Sequence, residues 1–234
     1  MEVDNVLVQD MTSLMFNKSV AQEEISMTNS TLLVPTECAL LLIDQQAGLA
    51  FAVGSSDRQV LLDNSIAVAR TADVFKVPTV AFTSASKVYS GPMMPALQNA
   101  IPHIKSIERR SMNAWEDVAS RQAVIDTGRK RLLISGLLTE ACVSFCALSA
   151  KAEGFDVWVV ADSCAGLTPA SHEMALRRLE AAGITLTSWI QVLLEFQRDW
   201  TRRETYEGAR AIVESHGGGY GIGLAYSRDM IHPT

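Results

Sequence analysis

The chain has little of what marks a secreted, membrane-bound or nucleic-acid-binding protein. Its 234 residues include four cysteines (Cys38, Cys142, Cys146, Cys164), with no CxxC pair and no histidines at metal-ligand spacing beside them. Neither a disulfide framework nor a structural zinc site is expected, and a reducing compartment fits best. The four histidines, His103, His172, His216 and His232, are dispersed and form no HxH or HExxH pair, so no metal and no cofactor is expected. No apolar run approaches the ~18 residues of a membrane span. The opening "MEVDNVLVQDMTSLMFNKS" carries acids where a signal peptide needs a positive segment, so a cytoplasmic location is expected. Lys+Arg 20 against Asp+Glu 26 leaves a net charge of −6, scattered along the chain, which provides no basic stripe for nucleic acid. The GxSxG elbow and the GxxxxGK[ST] phosphate loop are both absent.

What is present is a hydrophobic content of 48% and an alternation of short apolar runs with longer segments of helical period. That alternation marks βαβ units around a parallel sheet. Strands are expected at 38 to 44, 77 to 84, 131 to 136, 155 to 162 and 184 to 189, with a weaker sixth at 103 to 110. Helices are expected at 55 to 76 with Asp57 as N-cap, at 116 to 127, 140 to 153, 170 to 182 and 190 to 201, and in the tail at 204 to 215. Gly128, Gly154 and Gly183 stand where left-handed C-caps precede the next strand. The expected organisation is an N-terminal extension over 1–35, poorly ordered or in contact with another subunit, an α/β domain over 36–202, and a C-terminal helix and tail over 203–234 that packs on the domain or on a neighbouring subunit. In the tail, the glycines of "HGGGYGIGLAYSRDM" follow a helix and do not join a strand to one, so a flexible or subunit-contacting segment is expected there.

In an open parallel sheet the carboxyl ends of the strands line a crevice where distant residues meet. Asp44 closes "ALLLID", Arg109 closes "IKSIERR", and Cys142 follows "LLISG" after a short loop. Partial desolvation of Asp44 would raise its pKa and make it a better proton acceptor, although Asp is also common as a turn or cap residue. Cys142 near the start of a helix is placed to be held as a thiolate, yet taken alone it reads first as a small apolar filler. Cys146, one turn on, is expected to be buried and inert. Arg109 and Arg110 point to opposite sides of an extended segment, so at most one faces the crevice. Gln46, Trp115 and Leu137 are the expected pocket-lining residues; Trp189 beside another strand end is a weaker one, and aromatics there are more often core.

Three stretches together resemble the isochorismatase-like cysteine hydrolases. "LLIDQQAGL" is similar to that family's first strand with its aspartate, and "ERRSMNAWEDV" to its basic segment. "LLISGLLTEACVSFCALSAKAEGFDVWVVADSCAG" is similar to its cysteine strand, helix and following strand. The resemblance spans roughly 36 to 202 and implies a three-layer α/β/α sandwich with a mainly parallel, roughly six-stranded sheet. It also implies a triad of Asp44 as general base, Cys142 as nucleophile and a basic residue at Arg109. Many amidase members have lysine at that third position, and one subgroup sharing "NAW" and "RDW" has arginine. The resemblance further implies a cis peptide at Leu137–Leu138 and an oxyanion hole made by the backbone amides of Leu138 and Cys142. The loop "TSASKVYSGPMMP" has no histidine for the metal site of the nicotinamidase branch, so that activity is not expected. The expected function is thioester-forming hydrolysis of a small-molecule amide by a homo-oligomer. Vinyl-ether hydrolysis with Asp44 as acid is the alternative within the family, and a non-catalytic oligomeric ligand-binding scaffold the alternative outside it.

Overall fold

A computed structural model describes residues 31–231, and from Val34 onward the chain forms one compact unit. The expected N-terminal extension lies, through residue 30, outside the described residues. Six strands form a single sheet: β1 Cys38–Ile43, β2 Thr79–Ser84, β3 Ser106–Arg109, β4 Arg131–Gly136, β5 Asp156–Val160 and β6 Thr185–Thr187. Their order is β3-β2-β1-β4-β5-β6 and every pairing is parallel. All six residues of β1 are buried, the pattern of a central strand covered on both faces. Ala39, Leu41 and Ile43 join Leu132, Ile134, Val157 and Val159 in one core cluster, and Leu40 and Leu42 alternate to the opposite face.

The helices follow from the connections. Between β1 and β2 lie α1 Ala47–Ala52 and α2 Arg58–Val74, and α3 Pro95–Ala100 precedes β3. Then come α4 Val118–Ile125 before β4, α5 Ser144–Ala152 before β5 and α6 Pro169–Ala181 before β6. The chain moves outward from β1 to β3 on one side of the sheet, then returns to β4 and moves outward to β6 on the other. Right-handed crossovers therefore place α2 and α3 on one face and α4, α5 and α6 on the opposite face. The closing helices α7 Trp189–Gln197 and α8 Arg203–His216 pack on α2, while α5 packs on β5 and α6. Local chemistry sets the boundaries: the Asp57 carboxylate accepts from the amides of Gln59 at 2.8 Å and Val60 at 3.0 Å, capping α2 as expected. Gly154 (φ 86°) and Gly183 (φ 75°) turn the chain from α5 and α6 into the next strands.

Two segments differ from their expected form. The cysteine helix opens with a wider π-type turn, Thr139–Val143, before regular α-helix begins at Ser144. The glycine-rich tail is helical, as α9 Gly218–Tyr226. Its glycines serve close packing: a Cβ on Gly221 would sit 2.3 Å from the Val213 carbonyl oxygen, so only a bare Cα lets α9 fold back on α8. Among the described residues no helix is long and apolar enough to cross a membrane.

Candidate active site

Strand order reverses between β1 and β4, so the crevice opens beyond their carboxyl ends, and Asp44 and Cys142 follow those two strands directly. Gly136 makes this junction tight: a Cβ there would lie 2.2 Å from the Ile43 carbonyl oxygen. Asp44 ends β1 in the left-handed region (φ 50°), which Asp tolerates better than most residues, and its amide donates to Phe82 O at 3.0 Å. The turn swings the carboxylate out of the strand's alternation and into the crevice.

Arg109 reaches that carboxylate from β3, two strands away, a span of about 10 Å between strand axes. Its Nη2 donates to Asp44 Oδ2 at 2.5 Å, and both side chains are completely buried. Nη1 donates to the Ser111 carbonyl, which fixes the guanidinium from its other side. Asp44 Oδ1 is buried and receives no hydrogen bond from any described nitrogen or oxygen. The Cys142 thiol and the Ser84 hydroxyl both act on that carboxylate and lower its pKa against burial, as does Arg109. The structure thus brings Asp44, Arg109 and Cys142 together, while Arg110 faces solvent.

The electrostatics differ from the expected resting thiolate. Burial pushes the Cys142 thiol up to about 12, the Asp44 charge and its bond to the thiol push the same way, and Arg109 only partly opposes them. Asp44 is itself raised by burial, against the pull of Arg109. At neutral pH the sulfur therefore carries its proton, next to an acceptor whose basicity burial has increased. The π-type turn explains the failed expectation: Cys142 is 7% exposed and sits within the fold, not at a solvated helix N-terminus.

The backbone around the cysteine is closely specified. Leu137 N donates to Ile43 O at 2.9 Å, Thr139 N to Ala165 O at 2.9 Å, and Ala141 N and Val143 N both to Leu138 O, at 3.1 and 3.3 Å. Outside the turn's own internal bonding, the amides of Leu138, Glu140 and Cys142 make no such bond among the described residues. The Leu137–Leu138 peptide is cis.

The three expected pocket residues lie inside the protein. Gln46 is fully buried, its amide nitrogen donating to Ser84 O at 3.0 Å and Gly91 O at 2.5 Å and its oxygen accepting from Ser84 N at 2.9 Å. It braces the loop after β2, leaving no free amide group for a ligand. Leu137 packs with Val53, Leu61 and Ala165. Trp115 meets Phe155 edge-on at 5.1 Å, in the same cluster as Cys142 and Cys146. Trp189 is also buried, its amide donating to Asp162 Oδ1 at 2.9 Å. As placed, these side chains support the crevice from within; they present no surface to it from outside.

Sequence reasoning missed a clamp on the cysteine turn. Glu140 Oε1 accepts from Leu167 N at 2.8 Å and Ser171 Oγ at 3.0 Å, and Thr139 Oγ1 pairs with His172 Nδ1 at 2.8 Å. These bonds tie the turn to the start of α6, where Thr168 and Ser171 form a reciprocal capping box. The "TPAS" cap was legible as a helix start, but nothing in the sequence pairs it with the distant "TE" at Thr139 and Glu140. Burial holds the His172 pKa down, with Glu140 opposing. Among the described residues no group of three or more His, Cys, Asp or Glu could hold a metal ion.

Comparison with known proteins agrees with this architecture. The family model described as the isochorismatase domain matches residues 38–191. Probable hydrolase YcaC of Escherichia coli K12 is 38% identical over 181 residues, covering 77% of this chain and 86% of that protein. Among solved structures, Pseudomonas aeruginosa YcaC with hexane-2,5-diol and covalent acrylamide superposes with a TM-score of 0.79 at 36% identity, over 84% of this chain and 97% of that one. The Escherichia coli YcaC gene product, an octameric hydrolase of unknown specificity, gives a TM-score of 0.81 at 35% identity, over 86% and 98%. On sequence and fold alike, the chain belongs to the isochorismatase-domain family of hydrolases.

Proposed function

We propose that this hydrolase cleaves the C–N bond of a small-molecule amide through a thioester on Cys142. The observation that carries the reading is the buried meeting of a carboxylate, a guanidinium and a thiol from three segments far apart in the chain. In the proposed reaction the thiol proton passes to Asp44 as the sulfur attacks the amide carbonyl, so no resting thiolate is needed. The amides of Leu138 and Cys142 receive the developing oxyanion, each such donor being worth roughly 3 kcal/mol in comparable acyl-transfer sites. Asp44 then gives its proton to the departing amine. Water attacks the thioester, losing one proton to Asp44, which returns it to the sulfur as the carboxylic acid leaves. Arg109 stays protonated throughout; its part is to hold and orient the Asp44 anion.

The Pseudomonas aeruginosa relative supports the reading, because it carries covalent acrylamide, an electrophile that adds to thiols. The octameric state of the Escherichia coli relative likewise supports a homo-oligomer here. The test is a panel of small amides with ammonia release as the readout, run on wild type and Cys142→Ala. Turnover in the wild type that disappears in the variant is expected. Wild-type-like turnover in Cys142→Ala refutes covalent catalysis, and if Asp44→Asn abolishes that same activity, direct attack by water with Asp44 as general base takes its place.

A further inference from the structure

Two charged side chains act on the Cys142 thiol, Asp44 and Arg109, and they are bonded to each other at 2.5 Å with no exposure of either. Nη2 of the arginine is committed to Asp44 and Nη1 to the Ser111 carbonyl. The buried Nε–H has no partner, but both terminal nitrogens are held in place and the positive charge of the side chain is already answered by Asp44. The neighbouring cation, Arg110, projects from the opposite side of an extended strand and is exposed. Two residues before the cysteine, Glu140 adds a second anion to the same loop, held by Leu167 N and Ser171 Oγ. A carboxylate brought beside the reacting sulfur would lose its hydration, meet as the cation acting on the thiol an arginine already bonded to Asp44, and stand against Asp44 itself. A neutral carbonyl meets no such opposition.

We infer that the site selects an uncharged acyl group and excludes substrates with an ionised carboxylate next to the scissile carbonyl. This deepens the proposed function and rests on Cys142 as its nucleophile. Lysine at the Arg109 position would retain the option of giving up its proton when buried; arginine does not, so the charge of Asp44 stays balanced inside the protein and none is left for the ligand.

The full-length protein is treated separately with iodoacetamide and iodoacetate. In both, the sulfur displaces iodide and the same C–S bond forms; the reagents differ in charge. Rates at Cys142 come from intact-mass and peptide-mapping time courses, with 2-mercaptoethanol as the uncharged reference thiol. The expected amide-to-acetate rate ratio at Cys142 exceeds that of the reference at least tenfold, and Asp44→Asn, with Arg109 left unopposed, brings the ratio back to the reference or below. Labelling of Cys142 with a wild-type ratio equal to or below the reference overturns the charge selection and leaves the nucleophile assignment standing. Failure of both reagents to label Cys142 while 2-mercaptoethanol reacts overturns both. The wild-type ratio decides the matter even if the Asp44 variant does not fold.

Discussion

At the scale of single residues, the four cysteines provide an internal comparison. Cys142 is 7% exposed, Cys164 3%, and Cys38 and Cys146 are fully buried. Native-state alkylation should therefore fall on Cys142 first, and Cys142→Ala should lower turnover by at least ~10³-fold with little change in thermal midpoint. Cys146→Ala, one helical turn deeper, should keep activity; a comparable loss there would mean that Cys142 acts through packing. The pH dependence follows from a thiol pushed up to about 12. Below that value the thiolate fraction rises tenfold per pH unit, so the alkylation rate of Cys142 should climb without levelling off through pH ~10. A free cysteine levels off above about 8.5. A plateau near neutral pH, read from iodoacetamide rates, would show a thiolate held at rest. The residue types and positions here were legible before the fold. Their charge state was not, because it depends on how deeply the turn at Thr139–Val143 buries the sulfur.

Among the elements, the cysteine turn depends most on its neighbours. Glu140→Ala removes an ionised acceptor from two hydrogen bonds to the start of α6 and should cost about 2–4 kcal/mol. At this chain length each kcal/mol lowers the midpoint by about 2–4 °C, which thermal denaturation followed by circular dichroism would resolve. By loosening the turn that buries the sulfur, the same variant should speed Cys142 alkylation more than tenfold, while Glu140→Gln, which keeps an acceptor oxygen, should restore most of both. An unchanged alkylation rate in Glu140→Ala would show that the turn holds its shape without the clamp. Strand cores, the Asp57 cap and the glycine stops were readable because each is local, set by a few adjacent residues. The π-type turn, the clamp and the helical form of the Gly218–Tyr226 segment were not, because each depends on a surface supplied from elsewhere in the chain.

For the molecule as a whole, the C-terminal helix is part of the fold. Ala209, Ile212 and Val213 of α8 are completely buried, and a Cβ on Gly208 would already press on Val74 of α2 at 2.8 Å. Ending the chain after Arg202 uncovers the Ile212 and Val213 sites, a loss on the order of 3–6 kcal/mol. That is a large part of the stability of an ordinary domain, so the shortened protein should be insoluble or strongly destabilised by chemical denaturation. A truncated form with wild-type stability would make α8 an appendage.

The sequence by itself determined the class of fold, the family and which three residues to examine, since apolar periodicity and short motifs are local properties that survive in a string of letters. Tertiary structure alone decided that Arg109 is bonded to Asp44, that Gln46, Trp115 and Leu137 support the crevice from inside, and that burial pushes the Cys142 thiol up. Those outcomes depend on distance and dielectric environment, and both arise only when strands far apart in the chain are laid side by side.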